Sequence, residues 1–495
     1  MGPDTSSSRY RRGSEWRRWD LHVHTPHSVL NNGFGGDFKQ YAKELFERAI
    51  QREIAVIGVT DYFTIQGFRE LREIQQDQQQ LAELLGDDGA MAAREILLLA
   101  NVELRLSDVI KVGDQEPRVN LHVIFAEDIS PDEIEGKFLH QLKFLSESAP
   151  DELDEELPLT TENLRALGAR LKGEHAEFQG SSDLRVGMEQ AVVSHQQVTE
   201  VLSRGKTFPK RHLLVLAADD PLSKINWSGQ GHLSRKAPIQ KAHMLFSANP
   251  KTRSFGLGEK HESREAFVEE FKSLKPCVHG SDAHKPEDLF VCAQDRQLWI
   301  RADPTFNGLT QLLLAPSERV FVGAEPPALA RNRETASKII DAVEFERVAD
   351  PDAGARWFSG SVPLNPGLVA LIGKKGSGKS AFAEAIALAG NTRNSGYFSF
   401  LSRSRFLGRP ENLGERFAVE VKWRSGPPVR KLLSDTTEKA LPERVRYVPQ
   451  HYLEEVCTEI TDPSARTLFD EELEAVIFSH VPETDRLGQE SLRAL

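Results

Sequence analysis

The sequence predicts an α/β protein in two parts, a distorted β/α barrel followed by an α/β lobe that begins with a glycine-rich loop. Apolar, strand-like runs alternate with helix-like segments over most of the first part. Histidines and carboxylates follow several of these runs, and near residue 373 a glycine-rich motif separates an apolar run from an alanine-rich segment. The 495 residues exceed one ordinary core, so we expect more than one domain.

The elements of the first part are predicted from short apolar runs for strands and from apolar residues spaced three or four apart for helices. The run at 54–59 is apolar almost throughout, which is typical of a buried parallel strand. Strands are predicted at 21–24, 54–59, 96–99, 119–125, 213–217, 277–281 and 297–300, and helices at 41–52, 68–85, 158–172, 192–202 and 266–274.

Composition changes divide the chain into consecutive segments. The polar and acidic stretch at 127–185 interrupts the strand and helix alternation, so we expect it to be an insertion on the barrel surface. The predicted order is a disordered basic arm at 1–14, the barrel domain at 15–323, a linker at 324–340, the lobe at 341–475 and the start of a helical arm at 476–495.

The bulk composition is that of a globular protein, with 39% hydrophobic and 27% charged residues. No apolar run approaches the roughly 20 residues that cross a bilayer, and the N-terminus lacks the apolar core of a secretion signal. The three cysteines show no CxxC spacing, which argues against a disulfide scaffold or a cysteine-type zinc site. We therefore expect a cytoplasmic protein without a membrane partner.

The net charge of −12 argues against a generally basic nucleic-acid-binding protein. Arginines nevertheless cluster in two places, near the N-terminus and after the glycine-rich loop. The clusters are Arg9, Arg11, Arg12, Arg17 and Arg18, and then Arg403, Arg405 and Arg409. Solvated surface accounts for both clusters, and contact with phosphates is the alternative.

The glycine-rich loop has the full spacing of a P-loop, GxxxxGKS. It comprises Gly373, Lys374, Lys375, Gly376, Ser377, Gly378, Lys379 and Ser380. The apolar run 368–372 before it predicts a strand, and 380–389 after it a helix, which is the context that the motif requires. Backbone N–H groups and the helix N-terminus would surround the phosphates, Lys379 would neutralise them and Ser380 would bind Mg²⁺. These residues predict an ATP–Mg²⁺ site.

A second motif, Arg446-Tyr447-Val448-Pro449-Gln450, follows the P-loop by about 70 residues. A strand that ends in glutamine there resembles the Q-loop of ABC ATPases, most closely the SMC and RecF branch, in which the glutamine contacts Mg²⁺ and the attacking water. The resemblance implies a catalytic role for Gln450, and an ordinary strand end is the alternative.

The remaining motifs of an ABC lobe are not found in the sequence. The acidic pair in Leu468-Phe469-Asp470-Glu471 lacks a preceding apolar strand and follows the glutamine too closely to be a Walker B motif. We therefore expect only the N-terminal half of the lobe, completed by further sequence or by a second chain. ABC lobes hold two ATP molecules between two chains, so the resemblance also implies at least a homodimer.

A set of histidines and carboxylates lies in the first part. His22 and His24 form an HxH pair, Asp282 and His284 form a DxH pair, and Asp61, Glu103 and His122 follow or lie in other apolar runs. Alternate residues of a strand point to one face, and strand C-terminal ends gather at one mouth of a barrel. Imidazoles and carboxylates without thiolates suit Zn²⁺, Mn²⁺ or Fe²⁺. The pattern predicts a metal centre.

These residues resemble the PHP (polymerase and histidinol phosphatase) family of metal-dependent phosphoesterases, which have a distorted barrel of seven strands. The resemblance implies His22, His24, Asp61, Glu103, His122, Asp282 and His284 as metal ligands. Many members have Asp-His where this chain has Asp61-Tyr62, which implies that one metal position is weakened or lost; the alternative is that Asp-Tyr is a feature of the subtype to which this chain is similar. A further ligand is expected between His122 and Asp282, and the candidates are His195, Asp219, His232 and His243. His27 is a candidate general acid.

The order of the two parts resembles the TrlF-type fusions of a PHP domain with an ATPase, over nearly the whole chain. Segments such as NNGFGGDF, HGSDAHKPEDL and WIRADPTFNGLTQLL carry this resemblance. The resemblance implies that the barrel is a phosphoesterase, specifically a nuclease acting on DNA or RNA. It also implies that the ATPase lobe regulates this activity and that the protein takes part in bacterial defence against phage. The alternative is a degenerate barrel that supports a nucleic-acid-handling ATPase without hydrolysing anything, and a third hypothesis is a sensor of ATP or its depletion.

Overall fold

The computed structural model describes residues 11–109, 118–146, 155–218, 232–348, 359–409, 413–438, 440–449, 468–489 and 491–495. The chain forms two compact units, Met1–Ala330 and Arg331–Leu495. Their boundary falls inside the segment predicted as a linker. None of the helices in the described ranges has the length and apolarity needed to cross a membrane.

The first unit alternates strands with helices, as predicted for an α/β domain. Its strands are β1 (Trp16–His24), β2 (Ile54–Tyr62), β3 (Leu97–Val109), β4 (Arg118–Phe125), β5 (Lys143–Ser146), β6 (Glu155–Pro158), β7 (His212–Ala217), β8 (Met244–Phe246), β9 (Cys277–Val278), β10 (Leu298–Arg301) and β11 (Val320–Val322). Its helices are α1 (Phe38–Gln51), α2 (Gln66–Gln76), α3 (Gln78–Arg94), α4 (Pro131–Lys137), α5 (Thr161–Glu174), α6 (Asp183–Gln190), α7 (His195–Ser203), α8 (His232–Lys241), α9 (Pro250–Gly256), α10 (Arg264–Phe271), α11 (Phe306–Thr310) and α12 (Pro316–Arg319), and α13 (Pro327–Glu334) spans the boundary.

The main sheet of this unit closes into a barrel-like ring. Nine strands pair in the order β11-β10-β1-β2-β3-β4-β7-β8-β9. The first half of β1 pairs with β10, and its second half bonds to the segment after β9. Asp282 N donates to His22 O at 2.8 Å, and His24 N donates to Ala283 O at 3.1 Å. The ring β1-β2-β3-β4-β7-β8-β9 agrees with the predicted barrel, and β10 and β11 extend it.

The ring is mixed rather than parallel throughout. β4 runs antiparallel to both β3 and β7. Glu103 and His122 lie inside β3 and β4, and the β3–β4 register places them directly opposite each other. The expectation of a strand-end position is wrong for Glu103 because β3 continues to Val109 beyond its predicted end at residue 99, and wrong for His122 because it lies within β4.

Two predicted boundaries change for local reasons. The helix predicted at 68–85 is two helices, α2 and α3, because Asp77 is extended and its side chain accepts a hydrogen bond from Gln80 N as the N-cap of α3.

Strand β1 begins at Trp16, so Arg17 and Arg18 are part of the barrel. The Arg18 guanidinium lies 4.8 Å from the centre of the Trp299 ring. Arg17 is buried, so the surface interpretation does not hold for Arg17.

The inserted segment packs helices α5 and α6 through two glycines. A Cβ atom at Gly168 would overlap Asp183 O, and one at Gly187 would overlap Leu164 O. The backbones can approach this closely because both positions lack a side chain. The predicted helix at 158–172 begins later, at Thr161, because Thr160 is the N-cap and accepts from Asn163 N.

Substitution of Gly168 with alanine is expected to destabilise the protein by about 1–3 kcal/mol, because the added methyl group must push the two helices apart. Gly173→Ala in the same helix is the matched control, since a Cβ there meets nothing within 4 Å. We expect that control to be neutral or about 0.5–1 kcal/mol more stable. Thermal unfolding followed by circular dichroism measures both, and equal melting temperatures for the two variants would contradict the packing described.

The second unit contains a sheet that the sequence interpretation did not assign. Its strands are β12 (Ile340–Arg347), β13 (Gly360–Pro363), β14 (Phe417–Trp423) and β15 (Val429–Leu432), and its helices are α14 (Lys379–Ala389), α15 (Leu413–Arg416) and α16 (Leu468–His480). The strands pair antiparallel in the order β13-β12-β14-β15. Val343, Phe345, Val419 and Val421 lie on its buried face, and Ala385 and Leu388 of α14 belong to the same core.

The predicted strand at 368–372 is not formed. These residues pair with no strand in the described part of the chain, and Leu368 and Ile372 are 90% and 91% exposed. An apolar run becomes a buried strand only when neighbouring strands cover it, so the run alone did not suffice. The helix predicted at 380–389 is α14, which begins one residue earlier.

Candidate metal centre

The second half of β1 and the segment after β9 bring His22, His24 and Asp282 together. Backbone bonds hold the two stretches side by side, so the HxH and DxH pairs face each other. The His22 and His24 Nε2 atoms lie 3.0 Å apart, and each lies 3.3 Å from Asp282 Oδ1. A methyl at Gly280 would overlap His22 N, so this position must remain free of a side chain for the approach.

Glu103 and His122 complete the cluster from β3 and β4. Glu103 Oε2 lies 3.4 Å from His22 Nε2 and 3.5 Å from His24 Nε2, and Glu103 Oε1 lies 3.9 Å from His122 Nε2. Asn120 Nδ2 donates to Glu103 Oε1 at 2.6 Å and orients the carboxylate. Two groups of three have their ligand atoms within 4.8 Å of one another, His22, His24 and Asp282, and His22, Glu103 and His122.

Hydrogen bonds fix the tautomer of His24. Asp61 accepts from Ser28 Oγ at 2.6 Å and from Thr25 Oγ1 at 2.9 Å. A carboxylate only accepts, so the Ser28 hydroxyl donates to Asp61, and Ser28 Oγ accepts from His24 Nδ1–H at 2.7 Å. The lone pair of His24 Nε2 is thereby directed at the cluster, as a metal ligand requires.

The same reasoning applies to His284. Its Nδ1 atom lies 2.9 Å from Asn31 O, and a carbonyl only accepts, so Nδ1 carries the proton. Its Nε2 atom lies 3.4 Å from Asp282 Oδ1. In a neutral ring the Nε2 lone pair and the carboxylate would repel each other, and a cation between them would relieve the repulsion.

The donor set fits a divalent cation. Glu103 Oε2 and His122 Nδ1 are buried and form no hydrogen bond of normal geometry with the described residues, although Glu103 Oε2 lies 3.4 Å from His22 Nε2. A buried polar group that nothing compensates costs about 1–3 kcal/mol. Imidazole nitrogens and carboxylate oxygens without thiolates are the ligands of Zn²⁺, Mn²⁺ and Fe²⁺. A cation held by Glu103 and the histidines would compensate the carboxylate directly.

The pKa values favour neutral imidazoles at two of the three buried histidines. Burial lowers the pKa of His24 to about 4 and that of His122 to about 3, although Glu103 opposes the shift at both. Burial also lowers the pKa of His22, but Asp282 and Glu103 outweigh it and raise the value to about 9. Burial raises the pKa of Glu103, and His122 and His22 outweigh this and lower it to about 2. Metal binds ionised carboxylates and neutral imidazoles, so an ion bound at this cluster must displace the proton of His22.

Ser28→Ala is expected to weaken metal binding about 10–100-fold, because His24 loses the group that fixes its tautomer and ring orientation. Isothermal titration with Mn²⁺ or Zn²⁺ measures the affinity. Ser130→Ala is the control, since Ser130 caps α4 through Glu133 N and its loss should lower stability by about 1 kcal/mol without changing metal affinity. Equal metal affinity in Ser28→Ala and the unaltered protein would contradict this role.

The structure places Asp61 beside the cluster rather than in it. Its carboxylate is taken up by Thr25 and Ser28 and belongs to neither group of ligand atoms. Burial raises its pKa to about 6, while the bonds from Ser28 and Thr25 oppose the shift. Asp61 thus orients His24 through Ser28. The sequence interpretation missed Ser28 and Thr25, although hydroxyl residues interleaved with histidines in HTPHS were a visible signal.

The candidates for the further ligand can be compared in part. His243 Nδ1 accepts from Leu214 N at 2.9 Å at the start of β8, away from the strand ends that carry the cluster. His195 begins α7 and is buried, and Val193 nearby pairs with Leu106 of β3, three residues from Glu103. Asp219 and the side chain of His232 lie outside the described residues.

Two other residues border the centre. His27 Nε2 lies 2.8 Å from Glu70 Oε2, and both side chains are about one-third exposed, at 35% and 36%. Tyr62, which follows Asp61, stacks on His24 with 4.8 Å between ring centres and lies nearly parallel to His284. Its ring therefore lies beside two ligand rings at the position where the resemblance leads one to expect histidine.

The glycine-rich loop at 373–380 precedes a helix, but the predicted strand before it is not formed among the described residues. Gly376 and Gly378 have φ angles of 84° and 95°, which favour glycine. Lys379 Nζ donates to Gly373 O at 2.7 Å and to Lys374 O at 3.0 Å, so the lysine closes the loop over its own carbonyls. The loop leads directly into α14. Gln450 lies outside the described residues.

The comparisons with known proteins give weak similarity. No protein-family model matches the chain, and no curated protein matches it. A solved structure of a proposed metal-dependent phosphoesterase from Bifidobacterium adolescentis is similar at 15% identity over 56% of this chain and 91% of that one, with a TM-score of 0.26. An amidohydrolase from Chromobacterium violaceum, with bound sulfate and no metal, is similar at 15% identity over 55% and 90%, with a TM-score of 0.25. TM-scores this low do not establish a common fold, so the functional argument depends on the site itself.

Proposed function

We propose that the barrel is a metal-dependent phosphoesterase that cleaves phosphodiester bonds in DNA or RNA. The convergence of His22, His24, Glu103, His122 and Asp282 on one point carries this proposal. A divalent cation supplies Lewis-acid catalysis of phosphoester hydrolysis when bound at such a point. The resemblance to PHP phosphoesterases supports the choice of a phosphoester, and the SMC-like resemblance of the lobe supports nucleic acid as its source.

The burial of the ligands indicates where the substrate would enter. His24, His122 and Glu103 side chains are almost fully buried, at 0%, 1% and 5% exposure, whereas Asp282 is 58% exposed. The buried residues would hold the cation in place, and the open side next to Asp282 would admit the phosphoester. Water adds to phosphorus in the reaction, one P–O ester bond breaks, and the leaving oxygen takes up a proton.

We assign the delivery of that proton to His27. Glu70 only accepts hydrogen bonds when ionised, so His27 Nε2 carries a proton toward it and the ring is oriented by the pair. The second nitrogen, Nδ1, is then the group that exchanges a proton with the leaving oxygen once the ring is protonated. His27 is partly exposed, as a group that reaches a substrate must be.

The second unit is proposed to bind ATP and Mg²⁺ and to regulate the barrel. The GxxxxGKS spacing and the lysine held by the loop carbonyls support nucleotide binding. We include Gln450 in this site on the strength of its resemblance to a Q-loop. The same resemblance supports at least a homodimer, the need for further sequence or a second chain to complete the lobe, and a role in bacterial defence against phage. Light scattering with and without ATP tests the dimer.

The experiment that tests the proposed activity is a cleavage assay with Mn²⁺ on single- and double-stranded DNA, single- and double-stranded RNA, and free nucleotides. Asp282→Asn, which removes the charge of one exposed ligand, is the inactive reference. Cleavage of at least one nucleic acid by the unaltered protein and not by the variant supports the proposal. A protein that retains its metal and leaves every substrate intact would instead support a barrel that only supports the ATPase.

A further inference from the structure

The segment around the P-loop is strongly basic in an acidic protein. Residues 373–410 contain seven lysines and arginines, Lys374, Lys375, Lys379, Arg393, Arg403, Arg405 and Arg409, and one carboxylate, Glu384. The whole chain has a net charge of −12. The lysines belong to the P-loop, but the three arginines at 403–409 have no role in the site proposed above.

These arginines lie on a compact turn, residues 402–409, which we call the basic turn. Arg405 N and Leu407 N both donate to Ser402 O, at 3.1 and 3.0 Å. Phe406 is 3% exposed and stacks on Phe400 with 4.6 Å between ring centres, so it anchors the turn in the core. Gly408 lies so close to Arg403 O that a side chain there would overlap it. The turn therefore has a defined shape.

A buried carboxylate ties the basic turn to the helix after the P-loop. Glu384 of α14 is fully buried. It accepts hydrogen bonds from Ser399 N, Phe400 N and Leu401 N, each at 2.8 Å, immediately before the turn. Burying a carboxylate is costly without such donors. The contacts fix the turn relative to the helix that begins at Lys379.

The three arginine side chains face solvent. Arg403, Arg405 and Arg409 are exposed, and none forms an ion pair with a carboxylate in the described part of the chain. Exposed arginines usually need no explanation. Here, however, three of them lie within seven residues on an anchored turn, and the sequence contains no Asp or Glu between residues 385 and 410. Guanidinium groups bind phosphate oxygens through two parallel hydrogen bonds, so such a turn suits a row of phosphates.

We propose that the basic turn binds the phosphodiester backbone of nucleic acid. This inference builds on the proposed nuclease function and adds the place on the second unit where the nucleic acid is held. Binding there depends mainly on backbone charge and not on base sequence, because all the charged side chains of the turn are cations. DNA and RNA share this backbone, and a direct comparison of the two decides which one binds.

The test is fluorescence anisotropy of the full chain with labelled phosphorothioate duplexes, one of DNA and one of RNA, which resist cleavage. The triple variant Arg403→Gln, Arg405→Gln and Arg409→Gln is expected to bind at least about 10-fold more weakly than the unaltered protein. The slope of log K against log salt should fall by about 2–3, since each phosphate contact contributes about 0.9. The tighter duplex identifies the natural partner.

The matched control removes the same charge from the first unit through Arg165→Gln, Arg204→Gln and Arg264→Gln, all at exposed positions. The control should bind like the unaltered protein. Equal binding by the basic-turn variant and the unaltered protein would overturn the inference, and so would an equal loss in the control. The basic-turn variant is also tested with vesicles of phosphatidylglycerol, which carry phosphates on a lipid surface. If this variant loses vesicle binding but still binds nucleic acid normally, the inference is overturned. The anisotropy measurement does not require cleavage of the nucleic acid. The cleavage assay therefore tests the nuclease proposal separately from the binding proposal.

Discussion

Glu103→Gln is expected to lower the affinity for divalent metal by roughly 100-fold or more and to abolish metal-dependent hydrolysis. Loss of a residue that only supports a ligand typically weakens metal binding about 10–100-fold, and loss of a ligand itself should weaken it more. Glu103 is the carboxylate with oxygens near all three histidines of the cluster, 3.4 to 3.9 Å from the Nε2 atoms of His22, His24 and His122. Glutamine has the same shape without the charge, so the barrel should fold normally. Isothermal titration gives the affinity, and plasma mass spectrometry gives the metal content.

The control for this prediction is Glu127→Gln in the same unit. The Glu127 carboxylate accepts from Phe306 N at 3.2 Å and takes no part in the metal cluster. It should retain the metal and the activity of the unaltered protein. Retention of full metal content in Glu103→Gln would show that the ion does not need Glu103, and the arrangement proposed for the centre would be wrong.

Lys379→Ala is expected to weaken ATP binding about 10–100-fold, which corresponds to the loss of a hydrogen bond to a charged group worth about 1.5–3 kcal/mol. Lys379 Nζ bonds to the carbonyls of its own loop, where it can turn to the phosphates of a bound nucleotide. Titration with a fluorescent ATP analogue measures the effect. Metal content of the barrel should not change.

Lys338→Ala is the control, since Lys338 is exposed and lies outside the P-loop. It removes the same charge and should bind the nucleotide normally. Unchanged affinity in Lys379→Ala would mean that the loop does not bind phosphates in the expected way. A loss of barrel metal together with ATP binding would mean that the two sites are coupled more tightly than we assume.

The sequence predicted those parts of the metal centre that depend on local spacing. HxH at the end of β1 and DxH after β9 place alternate side chains on one face, and the structure brings His22, His24 and Asp282 together. The pairing of Glu103 with His122 could not be predicted this way, because it depends on the antiparallel register of β3 and β4. The role of Asp61 depends on the positions of two hydroxyl groups in a turn, which spacing does not reveal.

The second unit shows a limit of reasoning from apolar runs alone. Residues 368–372 are apolar and precede a P-loop, yet they form no strand with the described residues, because a strand needs paired neighbours as well as an apolar sequence. Strand β12 was missed although buried Val343 and Phe345 alternate with Glu344 and Glu346. That alternation is the ordinary signal of a strand with one solvated face, and it was present in the sequence.

Whether the barrel holds a catalytic metal centre is tested by the metal content of the purified full chain in plasma mass spectrometry, beside the same measurement on Glu103→Gln. We expect about one or two ions of manganese, zinc or iron per chain in the unaltered protein and a large loss in the variant. Metal well below one ion per chain, even after incubation with Mn²⁺, Zn²⁺ and Fe²⁺, would show that the barrel has no metal centre of this kind.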